Sequence, residues 1–140
     1  MITLDQARGI VAGARAKGRE MGLKPLSVAV LDAGGHLLAF EREDGAAPGR
    51  FEIARGKAYG AVMLGMPGSV QMARAEEQGY FIAAVNGALG GKMIPVPGGV
   101  LVKDADGAVV GAVGVTGDSS ENDAAAALAG IGLAGYAGAA

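Results

Sequence analysis

Apolar and polar positions alternate along this chain in two rhythms, one helical and one extended. Leu4, Ala7, Val11, Ala14 and Met21 recur at helical spacing, while Arg8, Arg15, Lys17, Arg19 and Glu20 occupy the other faces. Thr3-Leu4-Asp5-Gln6 opens this stretch as a capping box, so an amphipathic helix runs to about Gly22 and is broken by Lys24-Pro25. Ser27 to Leu31 is a nearly continuous apolar strand, Asp32-Ala33-Gly34-Gly35 turns it, and His36 to Arg42 returns. A loop over Asp44-Gly45-Ala46-Ala47-Pro48 precedes a second helical stripe, Phe51, Ala54, Ala58 and Val62, spanning Arg50 to Leu64. Met66-Pro67-Gly68 stops it. Ser69 to Gln78 reads as a short third helix, Tyr80 to Val85 fits either a helical turn or a strand, and Asn86 to Gly99 reads as a loop.

The stretch from Pro95 to Leu128 carries the densest signal. Val100 to Lys103 and Ala108 to Val115 are β-branched runs joined by Asp104-Ala105-Asp106-Gly107, whose glycine supplies the positive φ of a hairpin turn. Aligned on Val28/Val100, the two hairpins match at Val30/Val102, Asp32/Asp104, Ala33/Ala105 and Gly35/Gly107, which indicates a shared turn geometry. Thr116-Gly117-Asp118-Ser119-Ser120 then offers several N-cap side chains, with Glu121 in the first turn and Asp123 in a box-like position. The helix that follows has no charged residue from position 124 onward, and Leu128, Ile131, Leu133 and Tyr136 leave it no polar side. Such a helix should be buried, and burial against a second subunit is the expectation, with Gly130, Gly132 and Gly135 permitting close approach; a fraying terminal segment is the alternative.

Two antiparallel hairpins interspersed with about four helices give an α+β domain, one domain over residues 1–140. A net charge of −2 without a basic cluster argues against nucleic acid or an anionic membrane as partner. The last helix is short for a membrane span, and the N-terminus has no basic or apolar leader, so a cytoplasmic protein is expected. The chain has no cysteine and one histidine, which nearly excludes zinc. Twenty-six glycines without a collagen-like period sit inside apolar segments and point to tight turns and close backbone approach.

The strings Asp32-Ala33-Gly34-Gly35-His36-Leu37, Gly98-Gly99-Val100, Val109 to Gly117 and Glu121-Asn122-Asp123 resemble the GlcG/HbpS family, over nearly the whole chain. The resemblance implies a central antiparallel sheet of about five strands flanked by about four helices in profilin-like α-β-α layers, homo-oligomers, and haem as a ligand. The family includes haem-binding proteins and the C-terminal domain of some PduO-type cobalamin adenosyltransferases. The chain departs from the family in having Leu101 where a proline usually follows Gly-Gly-Val.

His36 can ligate haem iron or act as a general base, and can equally be a turn-end histidine bonded to its loop. Six methionines and the tyrosines, Tyr59 and Tyr80 among them, are further possible ligands. Arg42, with Asp44 and Gly45, and Lys57 match positions of the family pattern, and the pair would suit haem propionates or the carboxylate of a small metabolite. Gly98, Gly99 and the corner before the last helix supply backbone amides for a ligand. Asp118, Glu121 and Asp123 place three carboxylates at that corner; capping suits Asp123 especially, and Asp118 or Glu121 becomes a candidate base if desolvated.

Three functions follow as expectations. The first is a haem-binding oligomer used for sequestration, sensing or degradation. The second is a cofactor-free enzyme moving a proton on a small carboxylate metabolite, with His36, Asp118 or Glu121 as base. The third is a non-catalytic accessory subunit.

Overall fold

The computed structural model describes residues 1–140. Its order is α1 (Leu4–Glu20), β1 (Ser27–Asp32), β2 (Leu37–Arg42), α2 (Arg50–Leu64), α3 (Gly68–Glu77), α4 (Gly79–Ala88), β3 (Gly99–Lys103), β4 (Val109–Thr116), α5 (Ser120–Leu133) and β5 (Ala137–Ala139). The five strands form one sheet in the order β2-β1-β4-β3-β5, antiparallel throughout. The α+β class and the flanked antiparallel sheet are as expected, with five helices in place of about four. The ambiguous run Tyr80 to Val85 is helical, within α4.

Strand alternation sorts the core into two layers. Val28, Val30, Val100, Val102, Val113 and Val115 point to one face, where they meet Ala7, Ile10, Val11 and Ala14 of α1 and Ala126, Ala127 and Ile131 of α5. Leu31, Leu101 and Ala112 point to the other face and meet Ala58 and Ala61 of α2. The result is three layers, α1 and α5 on one side and α2 on the other.

α2 lies unusually close to the sheet because Gly99 and Gly114 are cross-strand partners. A Cβ on either would run into the α2 backbone, at Lys57 and Ala54 respectively. Close seating of α2 is what brings Lys57 down to the strand ends.

α5 corrects one expectation. Its glycines do permit close helix approach, but the partner is α1 of the same chain. A Cβ on Gly13 would stand 2.9 Å from the Gly130 Cα, and Gly130 and Ile131 are buried there. Leu128 and Leu133 remain exposed. The helix ends at Leu133, and the chain turns at Gly135 (φ +87°) to add β5 to the sheet edge beside β3. No helix is long and apolar enough to cross a membrane.

Candidate functional site

The sheet has two chemically different ends. β1 starts at Ser27, opposite Thr116 of β4 and Arg42 of β2, and finishes at Asp32, so the ends lie about 17 Å apart along the strand. Lys57, Gly98, Gly99, Arg42, Asp118, Glu121 and Asp123 belong to the Ser27 end. His36 belongs to the other, which separates it from the carboxylates with which it was grouped as a possible base.

At the Ser27 end Lys57 is 3% exposed. Its ammonium donates to the Val115 carbonyl at 3.0 Å and to Asp123 Oδ2 at 3.2 Å. Asp123, 1% exposed, uses Oδ1 to accept the Asp118 backbone N–H at 2.9 Å. Burial pushes the Lys57 ammonium down and the Asp123 carboxyl up, and their attraction opposes both shifts. The pair ties α2, β4 and α5 together across the end of the sheet. Lys57 is therefore committed to Asp123 and does not join Arg42 in holding a ligand carboxylate. Arg42 is exposed and donates instead to the Ala46 carbonyl at 3.2 Å. Arg50, which the sequence pattern did not single out, donates to Thr116 Oγ1 at 2.7 Å.

The carboxylates of the corner divide the work differently from the sequence reading. Ser119 is the N-cap and accepts from the Asn122 N–H, while Asp123 serves as the lysine's partner and as a tie for the preceding loop. Asp118 accepts from the Lys24 and Ser119 backbone N–H groups and from Asn122 Nδ2. Those bonds, that of Asn122 first, lower its pKa to about 2. This corrects Asp118 as a base, because a solvated carboxylate so well supplied with donors holds a proton poorly. Glu121 is exposed and lines a cavity of about 360 Å³ together with Ser69 and Met72 of α3, Pro97, Gly98 and Ala124. Gly99 and Ala140 complete that lining. Gly98, Gly99 and Glu121 thus do converge, with Lys57 directly behind Gly98, where a Cβ would stand 2.9 Å from Nζ.

At the other end the β1–β2 turn is built around Asp32. Its Oδ1 accepts the backbone N–H groups of Gly34 and His36, both at 2.9 Å, and Gly35 takes φ +82°. The His36 backbone bond, ahead of the others, lowers the Asp32 pKa. The imidazole stands in solvent, its side chain 81% exposed, with Nδ1 3.3 Å from Asp32 Oδ1. Tyr59 and Met63 of α2 lie under Gly35, and the Lys92 ammonium stands 5.4 Å from the Tyr59 ring centroid. A cavity of about 440 Å³ adjoins the turn, walled mainly by Ile2, Leu38, Val109 and Val110, with Asp32 and Gly34 on its rim. Sequence spacing gave no hint of this cavity, since Ile2 and Val110 are brought to Leu38 only by the sheet.

The geometry has clear relatives. The chain is 33% identical over 125 residues, 87% of its length and 84% of the relative's, to an uncharacterised 15.0 kDa protein of the dhaT–dhaS intergenic region of Citrobacter freundii. Its fold superposes on crystal structures of HbpS (TM-score 0.79, 31% identity, 94% of this chain and 88% of the other) and of a PduOC–haem complex (0.84, 22%, 96% and 95%). Residues 2–132 match the family described as haem degrading protein HbpS-like, and the chain belongs to that family.

Proposed function

We propose that this protein binds haem at the hairpin end of its sheet, where His36 would hold the iron through Nε2. The observation that carries this reading is an imidazole its turn does not need. In the second hairpin Asp104 accepts from Asp106 and Ala108 as Asp32 does from Gly34 and His36, and Ala108 fills the histidine's place. The side chain of His36 is thus free for another role, and Asp32 beside Nδ1 is the carboxylate partner that orients ligating histidines and raises their basicity.

The surroundings suit the group. The cavity beside the turn offers apolar surface from Ile2, Leu38 and Val110. No lysine or arginine lines this cavity: Lys92 stands by Tyr59 on the α2 side of the sheet, and Arg42 and Lys57 lie at or are tied to the other end. Bound haem would supply a redox-active iron. The residues present do the holding, with His36 as ligand, Asp32 fixing its tautomer and the apolar wall excluding water from one face. So exposed a ligand favours capture and release, hence sequestration, over buried redox chemistry. Self-association through the exposed Leu128 and Leu133 of α5 belongs to the same reading, as does a cytoplasmic setting.

Titration with haemin, followed by absorption spectroscopy, tests it. Saturable binding with a Soret band that moves or disappears in His36→Ala, and affinity weakened 10–100-fold in Asp32→Asn, is expected. An unchanged spectrum and affinity in His36→Ala would remove His36 as the ligand.

A further inference from the structure

α4 stands outside the three layers of the fold. It packs on α3, and only Ile82 of its ten residues is buried. Phe81, Ile82 and Val85 turn toward the protein, where Arg74 of α3 stacks on the Phe81 ring at 4.2 Å and Asn86 Oδ1 accepts the Met93 N–H at 3.0 Å. The opposite side is exposed at Tyr80, Ala83, Ala84, Gly87 and Ala88. Their spacing, i, i+3, i+4, i+7 and i+8, is that of the stripe by which a helix packs on a neighbour, and here it faces water. A surface helix ordinarily carries charge on its outer side, whereas no charged residue lies between Glu77 and Lys92.

We infer that this stripe is covered by α4 of a second copy of the chain, packed antiparallel about a two-fold axis at Ala84. Three observations select that occupant. A two-fold axis sets the residues beside it against themselves, so a charge there would meet its like, and the stripe has none. Its side chains are unequal in size, with Tyr80, 75% exposed, at one end and Gly87 and Ala88 at the other. An antiparallel pair seats each tyrosine ring on the small residues of the other copy and lets the backbones approach closely at Ala84. The flanking charges are complementary as well. Glu76 and Glu77 precede the helix and Lys92 follows it, all three exposed and none in an ion pair within the chain. Centred on Ala84, the pair brings the acidic end of each copy to Lys92 of the other. The helix is about 15 Å long, so the contact is smaller than a standard interface and the dimer is weak and concentration-dependent. This surface is separate from α5, which lies on the other face of the sheet.

Sedimentation equilibrium tests the inference in the Leu133→Asp background, so that association through α5 does not contribute. A dimer that dissociates on dilution in the micromolar range is expected. Ala84→Arg, at an exposed helix position that arginine tolerates, sets two cations face to face and should weaken the dimer at least about 100-fold. Glu77→Lys and Lys92→Glu each weaken it, and the two together restore part of the loss, since opposite charges meet again across the axis. The chain has no cysteine, so Ala84→Cys alone reports the geometry: beside the axis its two thiols come within reach of a disulfide on mild oxidation. A monomer at all concentrations, a dimer indifferent to Ala84→Arg, charge reversal without rescue, or an Ala84→Cys protein that stays uncross-linked would each overturn the inference.

Discussion

The chain builds one turn twice and places a histidine in only one copy. In both hairpins an aspartate closes the strand, its side chain accepts N–H groups two and four residues on, and a glycine at φ +82° completes the reversal. The backbone bonds also agree, Asp32 N–H to His36 O at 2.9 Å and Asp104 N–H to Ala108 O at 3.0 Å. Since alanine serves the second turn, the imidazole of the first is surplus to folding. The surroundings differ as well. A Cβ at Gly107 would meet nothing within 4 Å, whereas one at Gly35 would meet Met63 and Tyr59. The first turn is therefore seated on α2 beside an apolar cavity, and the second stands in water. Identical backbone chemistry thus separates what the fold requires from what it leaves available for a ligand.

The effects of substitution should follow that division. The largest calibrates the scale and lies away from both turns. Lys57→Met leaves Asp123 buried without its cation and should cost about 3–5 kcal/mol in chemical denaturation. The double variant Lys57→Met/Asp123→Leu should recover part of that loss. Between the hairpins, Gly107→Ala should cost about 1 kcal/mol and Gly35→Ala somewhat more. Both force alanine to positive φ, but only the alanine at Gly35 also meets neighbours, the flexible end of Met63, which has to shift, and the Tyr59 ring. Equal costs would break the distinction between a seated and an open turn.

The acid limb sharpens it further. Asp32 has a lowered pKa in the folded protein, so its contribution is present above the ordinary carboxylate range and is lost as pH falls through the folded value. Asp118 behaves in the same way, with stability lost between about 4 and its folded pKa of about 2. Melting temperatures of Asp32→Asn and Asp118→Asn should therefore fall less steeply than wild type on acidification from pH 4. The smallest effect is His36→Ala, which should change stability by no more than about 0.5 kcal/mol, as for an exposed side chain outside the core.

Much of this was legible in the sequence. Hairpin boundaries, α2 and the capping box of α1 follow from period and turn chemistry, because those signals are local. Aligning the hairpins already set Ala108 against His36. The convergence of Gly98, Gly99 and Glu121 was also foreseeable, since a strand and a helix start flank one corner. The rest depended on distance along the chain. Lys57 and Asp123 are 66 residues apart, and nothing in either segment's periodicity announces that they meet. Asp123 looked like a cap because its position after Ser119 and Ser120 is that of a cap, and only burial reveals the cation it holds. α5 looked intermolecular because a helix apolar all round must be covered, while sequence does not say that α1 and the sheet do the covering. Tyr80 to Val85 was too short to assign by period alone.

The placement of haem at the hairpin end is tested most directly by the amide spectrum of the ¹⁵N-labelled protein with and without ferric haem, whose paramagnetic iron broadens nearby signals. Loss of signals from residues 32–37 and from Val109 and Val110, with Gly98 and Glu121 still sharp, is the result predicted here. Broadening centred on Gly98 and Glu121, with the His36 turn unaffected, would contradict it.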